Sequence, residues 1–270
     1  MRIAPVIETS YLRLMDAVFA RWPQPTPAAV ALKGARLIAH RGEHDNLTIM
    51  ENSLAAFDRA LKAGVWGIEL DVRWSGDLVP VVAHDADLQR LYGSRAQIER
   101  LTLQELRRLA PQIPSLEDVV GRFGRRLHLM IEIKEPLRRD PVRQSLILKK
   151  ILLDLEPVEH YHLMALHPNI LTPIIGFPFE CYLVIAYHWP DRFSRWVHRR
   201  PWGGLCAHYG LMRNSLIRRH KARGQKVGTA YPASRNCLFR ELNRGVDWIF
   251  SNDAGRLQGI VDRQRSFSSI

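Results

Sequence analysis

What this 270-residue sequence is short of narrows its class before any motif is considered. It holds three cysteines, Cys181, Cys206 and Cys237, odd in number and widely spaced. That excludes a dense disulfide scaffold and a cysteine-based zinc site, and it fits a reducing compartment. No apolar run reaches the roughly 18 residues of a membrane span, and the first residues lack the charged, apolar and small-residue series of a secretory leader. A soluble, unprocessed, cytoplasmic protein is the expectation. Zinc-finger spacing, an RNA-recognition signature and basic blocks interleaved with aromatics are also missing, so no specific nucleic-acid partner is expected. Acidic residues are the minority, 27 against 39 Lys and Arg, for a formal net charge of +12. Such a chain attracts polyanions, and a phosphate-bearing substrate is the simplest of these.

Core material is plentiful: 46% of residues are hydrophobic, enough for one α/β barrel of about 250 residues. Short Val- and Ile-rich runs alternate with helical patterns, which predicts βα units around a parallel sheet. The eight strands read this way are Arg36–His40, Gly67–Arg73, Val79–His84, Leu127–Lys134, Tyr161–Leu166, Cys181–Tyr187, Lys226–Tyr231 and Trp248–Ser251. Gly204–His208 is read as a loop or accessory strand. Helices are expected at Asn52–Lys62, Leu103–Leu109, Ser115–Phe123, Pro141–Leu153, Asn214–Arg223 and Arg235–Arg244. Ser115 and Asp118 form a capping pair, and Gly224 and Gly245 serve as C-terminal stops. The fold class predicted is α/β, a (β/α)₈ TIM barrel over residues 34–265 behind an N-terminal helical extension, residues 1–33. In that extension Tyr11–Trp22 is a helix with Tyr11, Leu14, Met15, Val18, Phe19 and Trp22 on one stripe, packed over a barrel end or, alternatively, set on a membrane surface.

Polar residues recur where the apolar strands end. In Ile68-Glu69-Leu70-Asp71-Val72 the alternation puts Glu69 and Asp71 on one face. Two carboxylates on a buried face need a positive charge between them, supplied either by Arg or Lys or by a hard divalent cation. Ile131-Glu132-Ile133-Lys134 repeats the construction: Glu132 offers a third metal oxygen, and Lys134 either holds a phosphate or neutralises the carboxylates. His40 and His84 close two further runs and suit a general acid–base pair, while Arg41 offers a forked donor to phosphate oxygens. The carboxyl ends of barrel strands are the catalytic face.

These elements resemble the glycerophosphodiester phosphodiesterase family. The resemblance is carried by Ile38-Ala39-His40-Arg41-Gly42, Glu51-Asn52-Ser53, Glu69-Leu70-Asp71-Val72, Pro80-Val81-Val82-Ala83-His84-Asp85 with Arg90, and Ile131-Glu132-Ile133-Lys134, with a weaker echo in Gly245–Asp253. It implies a (β/α)₈ barrel that cleaves glycerophosphodiesters to sn-glycerol 3-phosphate and an alcohol with one divalent cation, Mg²⁺ or Ca²⁺. Carried over, Glu69, Asp71 and Glu132 are the metal ligands, His40 and His84 the acid–base pair, and Arg41 and Lys134 the phosphate contacts. Glu51 and Asn52 match a family Glu-Asn-Thr element with Ser53 in place of Thr; Glu51 is expected near the metal shell, in a supporting or a direct role, and Asn52 in a supporting one. Two departures fall late in the chain. Ala165-Leu166 stands where many members have Ser-Phe, and Thr229-Ala230-Tyr231-Pro232 where they have Trp-Thr-x-Asn, so Tyr231 is the candidate for the aromatic wall.

Two other readings stay open. A lysophospholipase D or sphingomyelinase D-like activity on membrane lysolipids uses the same groups. The basic, aromatic segment Trp189–Trp202 would then give peripheral contact with an anionic membrane, or its rings simply pack on the barrel. A catalytically silent lipid- or polyanion-binding barrel is the reading from another class, and it predicts a lost carboxylate or histidine where none is lost.

Overall fold

The computed structural model describes residues 14–135 and 140–267. Among these are nine strands: β1 (Leu37–His40), β2 (Gly67–Trp74), β3 (Pro80–Val82), β4 (His128–Ile133), β5 (Tyr161–Ala165), β6 (Tyr182–Ala186), β7 (Gly204–His208), β8 (Lys226–Ala230) and β9 (Trp248–Ser251). All but β3 pair in parallel, in the ring β1-β2-β4-β5-β6-β7-β8-β9, and β9 returns to β1. The predicted (β/α)₈ barrel is therefore present.

Strand parity sorts the core. Outward residues of β2 and β4, Ile68, Leu70, Val72, Leu129, Ile131 and Ile133, join the layer under the helices with Phe57 and Phe123. Inward residues Ile38, Met130, Met164, Leu183, Cys206, Trp248 and Phe250 form a separate cluster in the barrel interior. Each large side chain buried here contributes roughly 1.5–3 kcal/mol over leaving it exposed. The helices start and stop where the chemistry directs. Leu116–Phe123 opens on a reciprocal Ser115–Asp118 box, as predicted. Arg235–Arg244 ends at Gly245, whose φ of 69° admits a glycine readily.

Two strand assignments from the sequence are corrected. The run Val79–His84 is not a barrel strand: β3 lies antiparallel on the upper end of β2, pairing Val72 with Val82 and Trp74 with Pro80. A connection as short as 75–79 has no room for the crossover that two parallel strands require, so only a hairpin fits. Gly204–His208 is not accessory but the seventh barrel strand, paired with β6 and β8. Its five residues are buried throughout, leaving no alternation to read.

The predicted helix Tyr11–Trp22 falls partly outside the described residues, at 11–13. Residues 14–21 are helical, and their apolar stripe divides. Phe19 packs edge-on against Tyr209 with ring centres 5.7 Å apart, and Asp16 accepts a hydrogen bond from the Tyr209 hydroxyl. Leu14, Val18 and Trp22 stay exposed. The segment after β6 also divides: Pro190–His198 is a helix whose Trp196 packs on the buried Trp202, with ring centres 4.5 Å apart, while Trp189 is exposed. No helix among the described residues is long and apolar enough to cross a membrane.

Candidate active site

Register brings the polar strand ends together. Parallel pairing sets His40 beside Glu69 and Asp71 beside Glu132. All three acids are inward by parity and buried, and each has an oxygen within 4.8 Å of one on the others. His40 Nε2 lies 3.8 Å from Glu69 Oε2. His84 reaches the same cavity by another route: the β2–β3 hairpin turns the chain back, the Ala83 amide donates to the Asp71 carbonyl at 2.9 Å, and Arg73 Nε donates to the His84 carbonyl at 2.8 Å. His40, Arg41, Glu69, His84, Glu132 and Lys134 all line this one cavity.

Around the carboxylates stands a second ring of polar contacts. Asn52, at φ 58°, pincers Asp71: its Nδ2 donates to Asp71 Oδ2 at 2.8 Å, and its Oδ1 accepts the Asp71 amide at 3.2 Å. Lys134 Nζ lies 2.8 Å from Glu132 Oε1 and 3.2 Å from Asp71 Oδ1. Arg41 donates its amide to Glu69 Oε2 at 3.1 Å and sets Nε 3.1 Å from Asp71 Oδ2 and Nη1 3.1 Å from Glu51 Oε1. Glu51 is outside the carboxylate cluster. It is engaged by Arg41, Arg90 and Asn46, the last donating Nδ2 at 2.8 Å. Arg90 in turn donates to Asp85 Oδ2 at 2.6 Å, and Asp85 Oδ1 sits 2.7 Å from His84 Nδ1. Glu51 thus ties the Arg41 side of the site to the His84 side. Tyr231 lines the cavity, its hydroxyl 3.3 Å from His40 Nε2.

Electrostatics mark the cluster as short of positive charge. Burial, reinforced by Asp71 and Glu132, pushes Glu69 well above the usual carboxylate range. Burial and Asp71 raise Glu132 too. Asp71 goes the other way, because Lys134 and Arg41 outweigh its burial. His40 is lowered to about 3, first by burial and then by the Arg41 charge, so its ring is neutral at pH 7. Burial lowers His84 also. One buried oxygen, Glu69 Oε1, has no hydrogen-bond partner among the described residues, and Asp71 Oδ1 has only the Lys134 ammonium beside it, at 3.2 Å. Orphaned acceptors of this kind are costly unless something else occupies them. Oxygen donors about 2.0–2.6 Å from Mg²⁺ or Ca²⁺ stand at most about 5 Å from one another, which the cluster satisfies. The residues fit a hard divalent cation.

One contact went unread in the sequence. Asn252, two residues beyond the inward Phe250, accepts at Oδ1 from His40 Nδ1 at 2.7 Å. The signal for it was the parity of β9 carried one residue past its end, which puts Asn252 in step with the inward Trp248 and Phe250.

Residues 40–165 match the model of the Glycerophosphoryl diester phosphodiesterase family. A glycerophosphodiester phosphodiesterase of Bacillus altitudinis is 32% identical over 249 residues, covering 85% of this chain and 99% of that protein. One from Caldanaerobacter subterraneus subsp. tengcongensis is 28% identical over 244 residues, covering 83% of this chain and 97% of that protein. The same fold is found in an Oleispira antarctica phosphodiesterase solved with the product sn-glycerol-3-phosphate, at a TM-score of 0.69 and 23% identity, covering 86% of this chain and 99% of that one. With a full-length relative above 30% identity, the matching family model and an intact acid–histidine cluster at the mouth of the expected barrel, the chain belongs to the glycerophosphodiester phosphodiesterase family of phosphoric diester hydrolases.

Proposed function

We propose that this enzyme hydrolyses glycerophosphodiesters to sn-glycerol 3-phosphate and an alcohol, with one divalent cation, Mg²⁺ or Ca²⁺, held by Glu69, Asp71 and Glu132. The observation that carries the reading is the convergence of three buried carboxylates, Glu69 with an orphaned oxygen, at the cavity that His40 and His84 line. When bound, the cation supplies charge for a non-bridging phosphate oxygen and so favours the more highly charged transition state.

The chain's own residues supply the rest. With Asn252 Oδ1 as acceptor, His40 carries its proton on Nδ1 and keeps a lone pair on Nε2, beside the cluster. His40 therefore takes the proton of the attacking hydroxyl as its oxygen bonds to phosphorus. The phosphorus–oxygen bond to the alcohol breaks, and His84 delivers a proton to the departing oxygen. Asp85, 2.7 Å from His84 Nδ1, steadies the protonated form that this needs. Arg41 and Lys134 face the cavity while paired to the carboxylates, and they turn part of their charge to the phosphate. Asn52 and Glu51 hold Asp71 and Arg41 in place, and Tyr231 walls the mouth beside His40.

The test is a chelated enzyme assayed on glycerophosphocholine before and after addition of Mg²⁺ or Ca²⁺, with both products measured. Equimolar sn-glycerol 3-phosphate and choline, appearing only with cation, is the expected result. No release with either ion, or release indifferent to chelator, overturns the reading.

A further inference from the structure

Tyr209 lies fully buried just past the end of β7, where the barrel opens on its catalytic face. Its amide donates to the carbonyl of Ala230 at 2.5 Å, and Ala230 lines the cavity next to Tyr231. Tyr231 in turn meets the His40 ring edge-on, with centres 4.9 Å apart. His208, which pairs in register with Ala230, lines the same cavity, as does Leu211. The ends of β7 and β8 thus form one wall, and Tyr209 joins its two halves.

The side chain of Tyr209 is held by the helix of residues 14–21, which takes no part in the chemistry. Asp16 accepts from the Tyr209 hydroxyl, and Phe19 packs edge-on against the ring. The Arg240 guanidinium lies 4.4 Å over the Phe19 ring and donates Nη1 to the Tyr209 carbonyl at 3.4 Å. Asn236 Nδ2 donates to the Ala20 carbonyl at 2.7 Å, which fastens the end of the helix. A Cβ built on Gly210 would stand 3.0 Å from Met15 Cε and 3.3 Å from His208 Nδ1, so the helix presses close behind the cavity histidine. A phenylalanine at 209 would fill the same space without a partner. The paired hydroxyl and carboxylate instead fix where the end of the ring sits.

We infer that the N-terminal helix is a clasp on the mouth of the barrel: Asp16 and Phe19 hold Tyr209, Tyr209 holds the β7–β8 wall, and the wall keeps Tyr231 against His40. Asp16, Phe19 and Tyr209 are then positioning residues for the cleavage, acting through Tyr231, and this rests on the phosphodiesterase reading above. Displacing a positioned group by about 1 Å costs up to about 10²-fold in rate, so a contact this far from the phosphate has a measurable effect.

The test uses the full-length chain with cation on glycerophosphocholine, with the folded fraction of each variant measured by circular dichroism. Asp16→Ala and Phe19→Ala should each lower kcat/KM about fivefold or more, with KM raised at least about threefold. Loss of folded protein lowers apparent kcat alone, so KM is the quantity that a merely structural role leaves unmoved. Asp16→Ala decides alone if Phe19→Ala does not fold. Asp16→Asn keeps an oxygen for the Tyr209 hydroxyl and should stay within about twofold of wild type, as should Val18→Ala on the exposed face of the same helix. In a Tyr231→Ala background Asp16→Ala should cost less than about twofold more, whereas sites that act independently would add in full. Wild-type KM in Asp16→Ala overturns the clasp, and so does an undiminished loss in the Tyr231→Ala background. Losses in Asp16→Asn or Val18→Ala equal to those of Asp16→Ala overturn the part given to the Asp16–Tyr209 contact. A wild type that cleaves nothing sinks the phosphodiesterase reading and this inference with it, whereas an active wild type with unaffected variants sinks this inference alone.

Discussion

Asn252 Oδ1 lies 2.7 Å from His40 Nδ1, on the side of the ring away from the Nε2 that stands 3.8 Å from Glu69 Oε2. The amide decides which nitrogen of the imidazole carries the proton. Asn252→Leu should therefore lower kcat by about 10–100-fold, the usual effect of removing the partner that orients a working imidazole. His40→Ala and His84→Ala should cost more, about 10²–10⁴. Steady-state kinetics on variants with unchanged circular dichroism checks this, and a wild-type kcat in Asn252→Leu would remove its orienting role.

Crowded carboxylates predict opposite effects on stability with and without cation. Glu69 is raised by burial, Asp71 and Glu132, so its charge opposes folding in the absence of a cation. Glu69→Gln should melt as high as or higher than the wild type in chelator. The wild type alone should gain on adding Mg²⁺ or Ca²⁺, by about 2.7 kcal/mol at a hundred times Kd. Thermal melts of both proteins with and without the ions measure it; a wild-type melting temperature blind to both ions would contradict the carboxylate assignment.

Gly42 follows the His40-Arg41 pair at φ 79°, and a Cβ there would come within 2.8 Å of the Ala56 backbone. Both the conformation and the clash penalise a side chain. Gly42→Ala should lose more than about 1 kcal/mol and disturb Arg41 along with it. Denaturant unfolding should show a lower midpoint at an unchanged slope.

At the opposite end of the barrel, His128 Nε2 and His162 Nδ1 are 2.8 Å apart, with Trp66 stacked on His128 at 4.3 Å. Burial lowers His128 to about 4 and His162 well below its ordinary 6.5. Between these values the unfolded chain binds more protons than the folded one, so stability rises with pH. The contribution is complete above about pH 6.5 and is lost as pH falls toward about 4, on the order of 3 kcal/mol for His128. Melting temperatures of wild type and the double variant His128→Leu/His162→Leu, compared across pH 4.5–7.5 in chelator at about half-unit steps, should diverge in slope. Parallel profiles would show that the pair does not titrate in this range.

The candidate acids were legible because strand parity is a local property. Glu69 and Asp71 share a face whatever the strand pairs with, and Glu132 repeats the pattern in β4. His84 was legible as a residue but not by its route, since a hairpin and a barrel strand begin with the same apolar run. β7 was passed over for a related reason: five buried residues without alternation resemble a loop as much as a strand. His208, which ends it, was missed with it.

By itself, then, the sequence determined the α/β alternation, the helix ends and the identity of the acids, histidines and basic residues at the site, because each depends on spacing within a few residues. Only the tertiary structure decided that β3 turns back on β2, that Asn252 meets His40 across 212 positions of chain, and that Glu51 serves Arg41 and Arg90 rather than the carboxylate cluster. Those relations depend on the register of a closed ring, and register is set by the packing of all eight parallel strands at once.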